Sequence, residues 1–148
     1  MSLKDSITED MKSAMKAGDK DRLKVVRLIL AAIKQVEVDS RKELDDTAVL
    51  GVLDKMVKQR RDSIEQFTKG GREDLAAIER AEIEVLEGYL PAKMDDAELD
   101  ALIDEVIAAT GAESIRDMGK VMGAIKSKAA GRADMGAVGS RVKDRLGA

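Results

Sequence analysis

Lys20-Asp21-Arg22-Leu23-Lys24-Val25-Val26-Arg27-Leu28-Ile29-Leu30-Ala31-Ala32-Ile33-Lys34-Gln35-Val36-Glu37-Val38 is the stretch on which the fold turns. At about 3.6 residues per turn, Leu23, Val25, Val26, Leu28, Ile29, Leu30, Ile33 and Val36 occupy almost the whole circumference of a helix. A helix apolar nearly all round is central in its bundle. Its one polar strip is narrow and basic: Lys24, Arg27 and Lys34.

The flanking segments supply the helices that such a centre needs. Upstream, Leu3, Ile7, Met11, Ala14 and Met15 recur at helical spacing, and Gly18 and Asp19 provide a stop and a start. Downstream, Asp45 and Asp46 precede a helix from Thr47 to about Thr68, with Val49, Val52, Leu53, Met56, Val57, Ile64 and Phe67 on its buried face. Gly70-Gly71 breaks it, and a fourth helix runs from about Glu73 to Gly88, burying Leu75, Ile78, Ile83 and Leu86. Pro91, the only proline, restricts Leu90 away from helical geometry. A boundary is expected there, giving an N-terminal domain over 1–90 and a C-terminal domain over 91–148. In the second domain, Asp95 to Glu98 and Ser114 to Asp117 both read as helix starts. The fifth helix carries Leu99, Leu102, Ile103, Val106 and Ile107 and stops at Gly111. The sixth ends near Ser127, and Asp134 can cap a seventh with Val138, Val142 and Leu146. The fold class is therefore all-α, an N-terminal four-helix bundle-like domain followed by a small three-helix domain.

Composition agrees. Phe67 and Tyr89 are the only aromatics, so the cores are built from Leu, Ile, Val, Met and Ala, and alternating β-branched runs are missing. The chain has no cysteine and no histidine. Thiol chemistry, thiolate metal sites, and the commonest general base are thereby excluded. No catalytic residue, metal site or cofactor is assigned. No apolar run approaches the roughly 18 residues of a membrane span, so no membrane partner is expected. The N-terminus lacks a secretory h-region, and a cytoplasmic location is the expectation from these two absences.

Charge divides the chain unevenly. Residues 112–148 hold eight Lys/Arg against four Asp/Glu, a local +4, whereas 91–111 hold one against six, a local −5. Half of the twelve glycines lie in 112–148. Within it stands Asp117-Met118-Gly119-Lys120-Val121-Met122-Gly123. With Met118 at the origin of a helical wheel, Val121, Met122 and Ile125 fall within about 60°. Gly119 and Gly123 fall at about 100° and 140°, and Lys126 and Lys120 at about 80° and 200°. Each glycine costs a helix about 1 kcal/mol. Two readings remain open: close helix–helix approach, or a smooth strip where a sugar–phosphate backbone can approach between lysines. On the second, the nucleic-acid-binding residues are Gly119, Lys120, Gly123, Lys126, Lys128, Arg132, Arg141 and Lys143, with a second basic strip of Lys24, Arg27, Lys34 and Arg60. Arg60 also projects onto the apolar stripe of the third helix, where it needs a carboxylate such as Glu82 or Glu84.

The same segments carry a resemblance. Met11-Lys12-Ser13-Ala14-Met15-Lys16 with Asp21-Arg22-Leu23, Val57-Lys58-Gln59-Arg60-Arg61-Asp62-Ser63-Ile64, Gly71-Arg72-Glu73-Asp74-Leu75-Ala76, Tyr89-Leu90-Pro91 and the glycine–lysine segment occur in order. Together they resemble the YqeY-like (GatB/YqeY) family, stand-alone relatives of the C-terminal tail of the B subunit of tRNA-dependent amidotransferase. The resemblance covers essentially the whole chain. It implies a helical bundle followed by a three-helix domain. It also implies a tail that reaches tRNA while other domains, absent here, activate the carboxylate with ATP and take nitrogen from glutamine. The expected role is a non-catalytic tRNA-binding accessory module linked to tRNA amidation. Two alternatives are an adaptor docking on an amidotransferase or aminoacyl-tRNA synthetase subunit through Met94, Met118, Met122 and Met135, and a non-autonomous part of a carbon–nitrogen ligase with glutamine as amido-N-donor.

Overall fold

A computed structural model describes residues 2–147. Seven α-helices follow one another: α1 Leu3–Ala17, α2 Lys20–Ser40, α3 Asp46–Lys69, α4 Glu73–Glu87, α5 Asp96–Thr110, α6 Met118–Ala129 and α7 Met135–Gly147. A single 3₁₀ turn, Ile115–Asp117, leads into α6, and no strand occurs among the described residues. The chain divides into two compact units, Met1–Pro91 and Ala92–Ala148.

The helix starts follow from short acidic or hydroxyl side chains. Ser2 and Asp5 form a reciprocal capping box on α1. Asp19, Asp45 and Asp95 accept hydrogen bonds from the backbone N–H groups of Arg22, Ala48 and Glu98. Asp134 accepts from Gly136 N–H at the start of α7. Glycine closes α1 and α5 for a steric reason. Gly18 and Gly111 sit at φ of 70° and 67°, where a Cβ would be strained.

The first unit packs Ile7 of α1, Val25, Val26, Ile29 and Ile33 of α2, Val49, Leu53, Met56 and Val57 of α3, and Leu86 of α4 into one core. Helix α2 touches the other three helices of this unit, so it is central. It is not buried all round: Leu28 and Val36 each remain 40% exposed. The expectation for α4 needs a larger correction. Ile78 is 52% exposed, because it lines an open groove with Arg22, Lys24 and Val25 of α2 that those side chains do not fill. Leu86 and Ala76 are the residues α4 fully buries.

Arg60 is half-buried and belongs to the α3–α4 contact. Its Nε lies 3.6 Å from Glu82 Oε1 and 3.9 Å from Glu79 Oε2, and an Nη donates to the Met56 carbonyl at 3.3 Å. It is therefore a partnered interior charge and not a member of the α2 strip, which is a correction to its placement there. The distances are long, and Nε itself lacks a hydrogen bond. Its contribution is thus mainly to avoid leaving Glu79 and Glu82 unneutralised.

The turn after α4 is tied back by its aromatic residue. The Tyr89 hydroxyl donates to Asp10 of α1 at 2.5 Å and accepts from Arg22 of α2 at 3.4 Å. The Arg22 guanidinium also sits over the ring, 6.0 Å from its centroid. Burial first, and then the bond to Asp10, push the Tyr89 hydroxyl up to about 12. A phenol whose folded pKa is raised contributes stability that is complete below its unfolded value near 10. That contribution is lost as pH rises through about 12. Tyr89 is the chain's only tyrosine, so tyrosinate absorbance reads it directly. The titration midpoint is expected well above 10 in the native protein, and Asp10→Ala should lower it partway. An ordinary midpoint in both proteins would show that the clasp does not form.

Candidate nucleic-acid interface

The second unit is organised by the charge on α5. Its core joins Leu99, Leu102, Ile103 and Val106 of α5 to Val121, Ile125 and Ala129 of α6 and Val138, Val142 and Leu146 of α7. Burying that stripe brings the carboxylates of α5 alongside the other two helices, where cations neutralise them. Arg141 donates to Asp100 at 2.8 Å and to Asp96 at 2.7 Å. Arg145 pairs with Asp104 and approaches Asp100. Arg132 pairs with Glu98 at 3.2 Å and also donates to the Ala92 carbonyl at 2.8 Å. Lys128 reaches Glu105 at 3.3 Å. The Arg132 carbonyl in turn accepts from Met94 N–H.

These contacts sort the eight expected binding residues. Lys128, Arg132 and Arg141 are engaged with α5. Lys120, Lys126 and Lys143 are exposed and make no ion pair among the described residues. Arg116, not singled out in the sequence, is exposed and likewise without a carboxylate partner. Its signal was its position one residue before the cap of α6. In the first unit Lys24, Arg27 and Lys34 are exposed and unpaired, whereas Arg60 lies in the α3–α4 contact described above. No group of acidic side chains with metal-binding geometry occurs among the described residues.

The start of α6 is fixed locally. Ser114 and Asp117 form a capping box on the 3₁₀ turn. Asp117 accepts from the backbone N–H of Glu113 at 3.0 Å and of Ser114 at 3.4 Å. Those two bonds, aided by Lys120, hold its carboxyl below the usual range. The negative charge is favourable at a helix N-terminus. It also means that Lys120 stands beside one carboxylate.

Gly119 and Gly123 face open space: a Cβ built on either meets nothing within 4 Å. They are exposed and make no helix–helix contact within the second unit among the described residues. The glycine that does lie under a neighbour is Gly139 of α7, where a Cβ would stand 3.8 Å from the Met118 and Met122 methyls of α6. The methionines expected to be exposed docking residues are accounted for here too. Met94, Met118, Met122 and Met135 are half-buried against the second core. That corrects the basis on which they were offered as an adaptor surface.

With this geometry in hand, the comparisons with known proteins decide the family. A family model described as a Yqey-like protein matches residues 4–146. The chain belongs to the YqeY-like family. This YqeY-like chain is similar to proteins named altered inheritance of mitochondria protein 41, mitochondrial. With the Lachancea thermotolerans protein it is 37% identical over 105 residues, covering 69% of this chain and 56% of the relative. With the Kluyveromyces lactis protein it is 39% identical over 106 residues, covering 69% and 57%. With the Pyrenophora tritici-repentis protein it is 32% identical over 143 residues, covering 94% and 78%. In the first two cases the match spans little more than half of the relative. The relatives' names are mitochondrial, which overturns the expectation of a cytoplasmic protein. That expectation rested on a missing h-region and missing membrane span, neither of which bears on entry into an organelle. No helix among the described residues is long and apolar enough to cross a membrane.

Open space at Gly119 and Gly123 makes a stability prediction. Both positions are helical, so Gly119→Ala and Gly123→Ala should each stabilise the second unit by about 0.5–1 kcal/mol. Gly139→Leu should destabilise it, because its added atoms meet Met118 and Met122. Thermal denaturation followed by circular dichroism measures all three. Destabilisation by the first two substitutions would mean that the α6 strip is covered in the folded protein.

Proposed function

We propose that this YqeY-like chain is a non-catalytic RNA-binding accessory module, with tRNA as its ligand and tRNA-dependent amidation as its context. The observation that carries the reading is the outer strip of α6. Gly119 and Gly123 leave the helix backbone uncovered, and Lys120 and Lys126 flank it without ion pairs. Arg116 and Lys143 add two more unpaired cations to the same unit. A helix that forgoes about 1 kcal/mol at each of two exposed positions gains nothing from them in its own packing. An incoming phosphate–sugar backbone gains close approach. With no aromatic side chain in this unit, bases have no stacking platform. Recognition is then of backbone and shape.

The cations held by α5 play a different part. Arg132, Arg141, Arg145 and Lys128 offset most of the charge on α5 and leave Lys120, Lys126 and Lys143 to meet phosphate. Amide formation itself is assigned to other polypeptides, in keeping with the family resemblance. The tRNA identity rests on that resemblance, while the backbone chemistry rests on the strip.

Titration of bulk tRNA with the purified chain at low salt tests the proposal. Saturable binding is expected, and Lys120→Glu and Lys126→Glu should each weaken it and lower the salt slope by about one. Gly123→Leu should weaken binding while keeping the helical content and not lowering the melting temperature. Absence of saturable binding, or indifference to Lys120→Glu, overturns the reading.

A further inference from the structure

The bundle leaves part of α2's apolar surface uncovered, and that surface is mixed with cations. With Lys20 at the origin of the α2 wheel, Val38 falls on the same line. Lys24, Arg27, Ala31, Lys34, Gln35 and Leu23 fall within about 60° of it, and Leu28 at about 80°. The acidic residues of this helix, Asp21, Glu37 and Asp39, lie about 100° away on either side. The four cations are exposed, and none forms a salt bridge among the described residues. The Glu37 carboxyl is held below its usual range by its bond to Lys4 of α1 and by the Leu44 N–H, and of the four cations only Lys34 adds to that. Leu28 is 40% exposed and Val38 60% exposed. Lys20, Leu23, Lys24, Arg27, Leu28 and Ala31 line a shallow groove of about 520 Å³.

This face differs in chemistry from the α6 strip. A phosphate backbone matches the cations but leaves Leu28 and Val38 in water. An apolar surface alone leaves four cations unmatched. A helix with an apolar stripe edged by carboxylates matches both sets. The second unit already contains such a pairing. There α5 lays Leu99, Leu102, Ile103 and Val106 into the core while Asp96, Asp100 and Asp104 meet Arg141 and Arg145 of α7. From Lys20 to Val38 the α2 face runs about 27 Å, the length of a partner helix of five turns. We propose that the outer face of α2 docks an acidic amphipathic helix of a partner protein.

A labelled, end-capped peptide of residues 95–111 supplies an acidic amphipathic probe for titration with the full chain. Saturable binding that strengthens as salt is lowered is expected. The double variant Lys24→Glu/Arg27→Glu should weaken it about tenfold or more. Leu28→Ser should also weaken it while retaining the salt dependence. All three positions are exposed, and circular dichroism confirms that each variant is folded. The tRNA titration run on the same double variant separates this face from the α6 strip. No saturable peptide binding, or equal binding by the double variant, overturns the proposal. So does a double variant that loses tRNA but keeps the peptide, which makes the face an RNA contact. A concentration-dependent dimer abolished by the double variant gives the face to a second copy of the chain and overturns it as well.

Discussion

The second unit is organised around the negative charge of α5. Residues 91–111 carry six carboxylates and one cation, and burying the apolar stripe of α5 sets those carboxylates beside α6 and α7, where positive charge offsets them. Arg141 and Arg145 on α7, Lys128 on α6 and Arg132 before α7 supply it. The pairs are partly exposed, so each adds little to stability by itself. Their larger effect is to assign roles. Half of the basic residues of the +4 segment are committed to α5, and what remains for an outside partner is a smaller set: Arg116, Lys120, Lys126 and Lys143.

Lack of aromatics imposes a second constraint. With interiors made of Leu, Ile, Val, Met and Ala, no single side chain bridges a core, and each helix must bring several small contacts. The first unit answers with a central helix that touches three neighbours and with the Tyr89 clasp to Asp10 and Arg22. The second unit fills the gap between α6 and α7 with flexible methionines resting on Gly139. Met94, Met118, Met122 and Met135, which look available in the sequence, are packing material for this core.

Helix ends and helix faces were legible in the sequence; neighbours were not. Caps act within four residues, so Asp19, Asp45, Asp95, Ser114 and Asp134 could be read from local order alone, as could the stops at Gly18 and Gly111. The all-helical class followed from periodicity and matches the structure. Ile78 shows the limit. Its spacing places it on an apolar face of α4, yet the groove it shares with α2 stays open to solvent. Gly119 and Gly123 show the same limit from the other side, since a wheel locates a glycine but cannot say whether anything lies against it. Lys128, Arg132 and Arg141 read as a basic patch because their partners on α5 lie more than twenty residues away in sequence. Location was not legible, because composition does not fix a compartment.

Two cationic faces thus survive internal pairing, and their differences are informative. The α6 strip pairs lysine with glycine and exposes backbone; it suits a ligand whose charge is dense and whose surface is hydrophilic. The α2 face pairs lysine and arginine with leucine, alanine and valine; it suits a ligand that is anionic and apolar at once. One ligand would not favour both surfaces equally, since the features that strengthen contact with one are wasted or costly at the other. A protein that holds RNA on one unit and an acidic helix on the other would act by bringing the two together. That role requires no catalytic group of its own.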